Sequence, residues 1–384
     1  MGFDQKPSQE AVAADPLWRK YRDEFPVTQN LIYLNHAAVS PLPRRSAVAM
    51  QALAQDALDF GSLHYDCWLD TYEAVRVAAA QLIGANRHEI ALMKNTSEGI
   101  STVARGLDWR PGDRIVAFRE EFPSNYYPWL RLESQRCYVE WLSVQDPLEK
   151  IDNACTGARL LAISFVQYLS GFRVDLNAIG EICKRRQCFF FVDAIQGLGA
   201  FPLNVETAHI DALAADGHKW LLGPEGCAVL YVRKSRQDSI FPEEFGWTTV
   251  AGYHDYSSRD MALRQDAGRY ECGTLNTIGC YGLLASLQLL LEIGVDQTSV
   301  AVQELTDQLA KGAAKKGYQL LGDRTPASGA GIVAIQKSGT DSRKVVHDLK
   351  QRGIIAAPRQ GWVRLSPHFY ISAEEIDRVI DALP

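Results

Sequence analysis

Apolar and polar residues follow two rhythms along this chain, and the rhythm switches repeatedly between residues 86 and 233. Short apolar runs bounded by turn residues recur at 89–95, 114–118, 138–144, 160–166, 189–193, 210–215 and 227–232. Runs of that length, rich in β-branched and aromatic residues, predict buried strands. Between them lie stretches with the 3.6-residue period of helices, one opening at Thr96 and another capped by Asp175 and running to 187. Residues 44–60 and 72–83 carry the same helical period. Strands and helices in alternation predict an α/β fold built on a large, doubly wound, mostly parallel sheet. Ligands of such sheets sit beyond the carboxyl ends of the strands.

The pattern changes on both flanks. Trp18, Tyr21 and Phe25 stand at helix-compatible spacing ahead of Pro26, which predicts an N-terminal helical arm over 1–30. After an apolar helix at 278–293 come helices at 300–317 and 342–352 and strands at 331–336, 354–357 and 362–366. The last helix, 372–383, opens with a Ser-x-x-Glu capping box. The division expected is an arm (1–30), a large domain (31–278) and a small α+β domain (279–384). The polar, aromatic stretch 235–270 reads as a long loop, a kind that is often functional.

Composition narrows the function. The 384 residues are 47% hydrophobic and 22% charged, as in globular proteins with two lobes. A net charge of −6 and the lack of a basic run give no reason to expect nucleic acid. No apolar leader precedes residue 20, and the longest apolar run, 283–293, is broken by Ser286, Gln288 and Glu292, so no membrane span is expected. The eight cysteines form no Cys-x-x-Cys pair, so neither a disulfide framework nor a metal site is expected, and a reducing cytoplasm is the default. No Gly-x-Gly-x-x-Gly follows a strand, so a dinucleotide site is not supported.

Two segments carry the candidate chemistry. The buried-strand run 189–193 ends on a carboxylate, Asp193, and acids are rarely buried without a partner. The strand 210–215 runs out into Asp216-Gly-His218-Lys219-Trp220. Either Lys219 is a solvated turn lysine, or its apolar neighbours desolvate it and favour the neutral, nucleophilic amine. A lysine and a carboxylate at neighbouring strand ends are what pyridoxal phosphate (PLP) requires. The lysine forms the Schiff base, and the acid keeps the pyridine nitrogen protonated so that the ring accepts electrons from a bond breaking at Cα.

The Asp193-Ala-Ile-Gln196 and Asp216-Gly-His-Lys-Trp220 blocks resemble the two main signatures of the class V aminotransferases. These fold-type-I PLP enzymes include cysteine desulfurases, selenocysteine lyases, isopenicillin N epimerase and kynureninase. The resemblance implies a PLP enzyme acting at Cα of an amino acid by transamination, epimerisation or elimination. It places the PLP phosphate at Thr96 and Ser97, which otherwise read as plain helix capping. Phe122 matches the residue that stacks on the pyridine, and its Phe-Pro-Ser setting is closer to kynureninases than to the His-His of desulfurases. Gln196 is implied as a hydrogen-bond partner of the phenolic oxygen, and His218 as a phosphate or proton-network residue. The block 271–276, Glu-x-Gly-Thr-x-Asn, places Thr274 across a homodimer interface on the neighbour's phosphate. Asn35 and His36 lie where the family places substrate, although His36 also reads as a turn histidine bonded to backbone.

Arg364 stands in an apolar strand, where a guanidinium needs a partner. That partner is either a structural acid or, as the resemblance implies, the substrate carboxylate. Asp216 stands where desulfurases have a phosphate-binding Ser, and Tyr168 where they tend to have Asn. The segment ahead of Arg364 also lacks the cysteine that desulfurases carry there. A cysteine desulfurase or selenocysteine lyase is the alternative reading. A non-catalytic PLP-binding protein is a third, and Asp193, Lys219 and Arg364 together argue against it.

Overall fold

In the computed structural model, residues 15–384 are described, and seven strands form the central sheet. A short strand β1 (Ile32–Tyr33) precedes them. The sheet comprises β2 (Ile90–Met93), β3 (Arg114–Phe118), β4 (Tyr138–Leu142), β5 (Leu160–Ser164), β6 (Phe189–Asp193), β7 (Ala212–Asp216) and β8 (Ala228–Val232). Their order is β2-β8-β7-β6-β5-β3-β4, and only β8 runs against its neighbours. The fold is therefore the α/β, fold-type-I architecture expected, a mostly parallel sheet with one reversed strand.

The period-2 geometry of strands explains why these runs are apolar throughout. Leu161, Ile163, Phe190, Val192, Leu213 and Ala215 enter one core, while Leu160, Ala162, Phe189, Phe191, Ala212 and Ala214 enter a second core on the opposite face. Both faces are covered, so neither can be polar. Helix Thr96–Gly106 lies on the second face, and Gly99 sets its approach: a Cβ there would stand 2.8 Å from the Ala214 Cβ. The missing side chain lets the N-terminus of this helix sit beside the ends of β6 and β7.

A second sheet of four antiparallel strands forms near the C-terminus. It contains β9 (Gln319–Leu320), β10 (Val333–Gln336), β12 (Ala357–Arg359) and β13 (Trp362–Leu365), in the order β12-β13-β10-β9. Between β10 and β12, strand β11 (Ile354–Ile355) leaves this sheet and pairs in parallel with β1. The run expected as one strand at 354–357 is thus shared between two sheets.

The N-terminal segment differs from expectation. Residues 1–14 lie outside the described part. Beyond them a single helical turn, Leu17–Lys20, is followed by 3-10 turns at Arg22–Glu24 and Pro26–Gln29, not by a continuous arm. Pro26 opens the last turn where a helix stop was expected. The apolar residues instead cover the C-terminal part: Phe25 stacks on Tyr370 with ring centres 3.7 Å apart, and Arg22 grips both oxygens of Glu375 at 2.7 and 2.8 Å. Helix Thr277–Ile293 packs on Arg44–Phe60 and Tyr65–Ile83, with Ser286 bonded to Ser46 and Thr277 to Tyr72. Among the described residues no single helix is long and apolar enough to cross a membrane.

Candidate active site

A cavity of about 480 Å³ opens at the carboxyl ends of β6 and β7. Its lining includes Thr96, Ser97, Phe122, Asp193, Gln196, His218, Lys219 and Arg364. Eight of the residues singled out in the sequence thus converge on one space. A larger cleft of about 630 Å³ lies between Trp18, Val300 and Ile371. Its walls are mainly apolar, without a lysine or an arginine, and we regard the smaller cavity as the chemical one.

Asp193 ends β6 and is 2% exposed. Its carboxylate accepts the Ile195 N–H at 3.1 Å. Burial pushes its pKa up to about 7; the bond from Ile195 opposes this, nearby Glu121 adds to it, and Lys219 lowers it. The acid is thus held near its titration point until a cation arrives beside it. One expectation follows for the cofactor-free protein. The folded pKa exceeds the ordinary carboxylate value, so the stabilising, protonated acid is lost as the pH rises through about 7. Cofactor-free Asp193→Asn should then resist urea better than cofactor-free wild type at pH 8.5, by about 1–3 kcal/mol, with the gap narrowing at pH 5. An Asn variant no steadier at pH 8.5 removes this account of the site.

Lys219 follows β7 in a tight turn. Gly217 N–H donates to Cys227 O, Gly223 N–H to Gly217 O and Leu222 N–H to Lys219 O. Leu222 takes a left-handed φ of 59°, a conformation that a branched side chain adopts only when its surroundings impose it. Burial lowers the Lys219 pKa to about 8; Asp193 opposes the shift and Arg364 assists it. Its ammonium nitrogen lies 5.7 Å from the centre of the Phe122 ring.

Thr96 is the first residue of its helix, and its buried Oγ1 has no hydrogen-bond partner among the described residues. Asn95 caps the same helix through Glu98 N–H, and Ser97 Oγ lies 2.7 Å from Ser124 Oγ. The first-turn N–H groups of a helix lack intrahelical acceptors, so this corner suits an anion. His218 Nδ1 stands 2.8 Å from Asp216 Oδ1, a close contact without the alignment of a hydrogen bond. That contact gives the unexpected Asp216 a neighbour other than a phosphate. Gln196 donates to Ala37 O at 3.0 Å and accepts from Trp220 Nε1 at 2.9 Å. One amide hydrogen remains for the cavity.

Arg364 comes from β13, in the other sheet, and is 3% exposed. It donates to Tyr168 O at 2.7 Å, while its buried Nε has no partner among the described residues. Among the described residues it forms no salt bridge, so no structural acid answers its charge. Burial, then Arg359, lowers its pKa to about 10. Only an anion brought from outside completes this group.

Two expected residues, His36 and Asn35, fall outside the cavity, and Thr274, expected to serve a neighbouring subunit, does not line its own chain's cavity. His36 is fully buried, with Nδ1 2.7 Å from Ser366 O and Nε2 2.7 Å from the Tyr370 hydroxyl. Both ring nitrogens are spent on the fold, which leaves none for substrate. Asn35 bridges to Ser366 beside it and does not line the cavity; Ala37, Ala38 and Val39 do. Thr274 is exposed and lines a separate cleft of about 230 Å³ with Lys94, Glu98 and Cys272.

Sequence reading also missed contributors. Arg359 and Ser124 line the cavity. Glu121 lies fully buried just behind it, accepting from Ser164 N–H, Ser164 Oγ and Gln167 Nε2, and burial raises its pKa. An acid directly before the Phe-Pro turn was a signal of the same kind as Asp193.

The donor set fits PLP: an orphaned hydroxyl at a helix start for the phosphate, a buried acid for the pyridine nitrogen and a lysine of lowered pKa for the aldehyde. The comparisons agree. The aminotransferase class-V family profile matches residues 32–379. "Uncharacterized aminotransferase YcbU" of Bacillus subtilis is 31% identical, over 95% of this chain and 96% of its own length. A protein named "Probable cysteine desulfurase" from Pyrococcus abyssi is 30% identical, over 94% and 96%. The apo structure of a cysteine desulfurase from Thermococcus onnurineus NA1 is 28% identical and superposes with a TM-score of 0.87, covering 94% of this chain and 96% of that one. The chain therefore belongs to the class-V aminotransferase family of PLP-dependent enzymes.

Proposed function

We propose that this enzyme holds an α-amino acid by its carboxylate at Arg364, moves the Cα proton with Lys219, and does so without a thiol of its own. The observation that carries the reading is the buried Arg364 guanidinium, which has no acid partner among the described residues and shares a cavity with Lys219. A carboxylate docked there meets a planar donor fork, which fixes its orientation. PLP supplies an electron sink for the bond broken at Cα. Lys219, whose pKa is about 8, is poised to take a proton near neutral pH and return it. Asp193 keeps a cation beside it charged, and the Thr96 and Ser97 corner holds the phosphate. Phe122 supplies an apolar face beside the Lys219 amine, and Gln196 adds one amide N–H. A screen of amino acids against the PLP-loaded protein tests the reading. Spectral change with release of keto acid, ammonia or sulfide is expected for at least one amino acid and none for its decarboxylated amine. An amine that serves as well as its parent acid defeats the carboxylate assignment.

Persulfide chemistry needs a cysteine able to reach the substrate sulfur. None of the residues lining the cavity is a cysteine; Cys272 lies in the Thr274 cleft, and Cys280 is buried 3.7 Å from Cys227. With L-cysteine and no reductant, mass spectrometry should find no protein-bound persulfide accumulating at the rate of alanine release. A persulfide formed at that rate reinstates the desulfurase reading. A selenocysteine lyase or a β-eliminating lyase meets the same constraint, because neither strictly needs a thiol acceptor.

A homodimer completes the site in this reading. Thr274 is exposed and away from its own chain's cavity, as a residue serving a neighbour would be. Leu58, Phe60 and Leu63 are exposed apolar side chains close in sequence, of the kind a second subunit covers. Sedimentation should give a dimer, and Thr274→Ala should weaken PLP binding without lowering the unfolding midpoint of the apoprotein. A fully active monomer refutes it. A cytoplasmic setting fits the eight free thiols.

A further inference from the structure

Cysteines that show no metal-site spacing in the sequence meet in space. Cys155 ends helix Leu148–Cys155, Cys183 lies in helix Leu176–Arg186, and Cys188 stands just before β6. Their sulfurs all lie within 4.8 Å of one another, and all three residues are buried. Three sulfurs around one ion with metal–sulfur bonds of about 2.3 Å stand roughly 4 Å apart, which lies inside that limit. A lone buried cysteine packs as a small hydrophobe. Three of them from three backbone elements, with their sulfurs turned to one point, make a ligand set.

We infer that Cys155, Cys183 and Cys188 form a three-coordinate site for a soft, thiophilic metal ion of the Cu(I) type, apart from the PLP cavity.

The ligand set selects the ion. Among the described residues no histidine or carboxylate joins the three sulfurs. Zn²⁺ in a closed site takes four ligands, and here apolar residues such as Ile151, Ala154 and Ile182 belong to the surrounding core. Thiolates without a hard fourth donor favour Cu(I). The backbone holds the set in place. Gln187 takes a left-handed φ of 57°, which turns the chain so that Cys188 N–H bonds back to Cys183 O at 2.9 Å. Asp152 accepts from Arg185 and from both Arg186 donors at 2.7–2.9 Å, clamping the two helices over the sulfurs.

Charge and access are also provided for. The Arg186 guanidinium, held on Asp152, brings a positive charge near the cluster that offsets negative charge on the sulfurs. Binding releases the thiol protons to solvent. Thr156 and Gly157, directly after Cys155, are exposed, so fraying of one helix end opens a way in.

The test uses PLP-loaded, reduced protein without oxygen. Cu(I) is presented as its bicinchoninate complex, and transfer is read from loss of the complex's colour. One Cu(I) per chain should transfer, and X-ray absorption should count three sulfur neighbours. Cys155→Ser and Cys183→Ser should each lower affinity at least about tenfold, since even outer-shell changes at metal sites typically cost that much. Cys227→Ser, which breaks the other close sulfur pair, should change nothing. The sulfur count on the unaltered protein stands even if a variant folds poorly. No transfer, two sulfur neighbours, or loss of binding in Cys227→Ser alone overturns the proposal.

Discussion

Lys219→Ala lowers turnover of any accepted amino acid on the order of 10³-fold, within the range for losing a positioned proton-transfer group. The variant still takes up PLP, because the phosphate corner and Asp193 remain. Borohydride no longer fixes the cofactor to the protein, whereas in the wild type it labels the Lys219 peptide. A small primary amine in the buffer restores part of the proton transfer but none of the covalent labelling. The side chain's pKa of about 8 sets the pH at which the amine becomes competent in the cofactor-free site. Turnover within about tenfold of wild type would place the proton transfer on another group.

The second large effect is at Arg364. Arg364→Ala removes the donor fork and leaves a carboxylate in the cavity unanswered, a loss of about 2–5 kcal/mol, or roughly 30- to 5,000-fold in kcat/KM. PLP absorbance and the unfolding midpoint stay close to wild type, because among the described residues Arg364 supports no acid and its guanidinium bonds to Tyr168 O. Arg364→Lys recovers only part of the loss, since an ammonium cannot reproduce the planar fork. The discriminating measurement is competition by small carboxylates: they inhibit the wild type and lose that effect in the alanine variant. Unchanged kcat/KM with a lowered unfolding midpoint would make Arg364 a structural residue.

Much of this was legible in the sequence because it depended on local pattern. The strands ending at Asp193 and Asp216 are apolar along their whole length, which only a sheet covered on both faces requires. The turn carrying Lys219 is bracketed by Gly217 and Gly223, and Thr96 opens a helix directly after a strand. What stayed hidden depended on pairing between distant segments. His36 sits in the right stretch of chain, yet Ser366 and Tyr370, more than 300 positions later, absorb both its nitrogens. The N-terminal aromatics have helical spacing, but their packing on Phe369 and Tyr370 outweighs that propensity. Arg359 and the three converging cysteines were invisible for the same reason: spacing along the chain does not encode which sulfurs or guanidiniums meet.

Arg22 and Glu375 pair across 353 positions, and β1 finds β11 near the other end of the chain. During synthesis those N-terminal groups emerge long before their partners exist. Closing so long a loop costs little extra free energy, because the entropy grows only with the logarithm of length. It does delay the contact, and until then Tyr21 and Phe25 keep apolar surface uncovered. The segments bearing Thr96, Asp193 and Lys219 are complete well before β13 leaves the ribosome. A nascent chain therefore gains the means to hold its cofactor before it gains the means to grip a carboxylate.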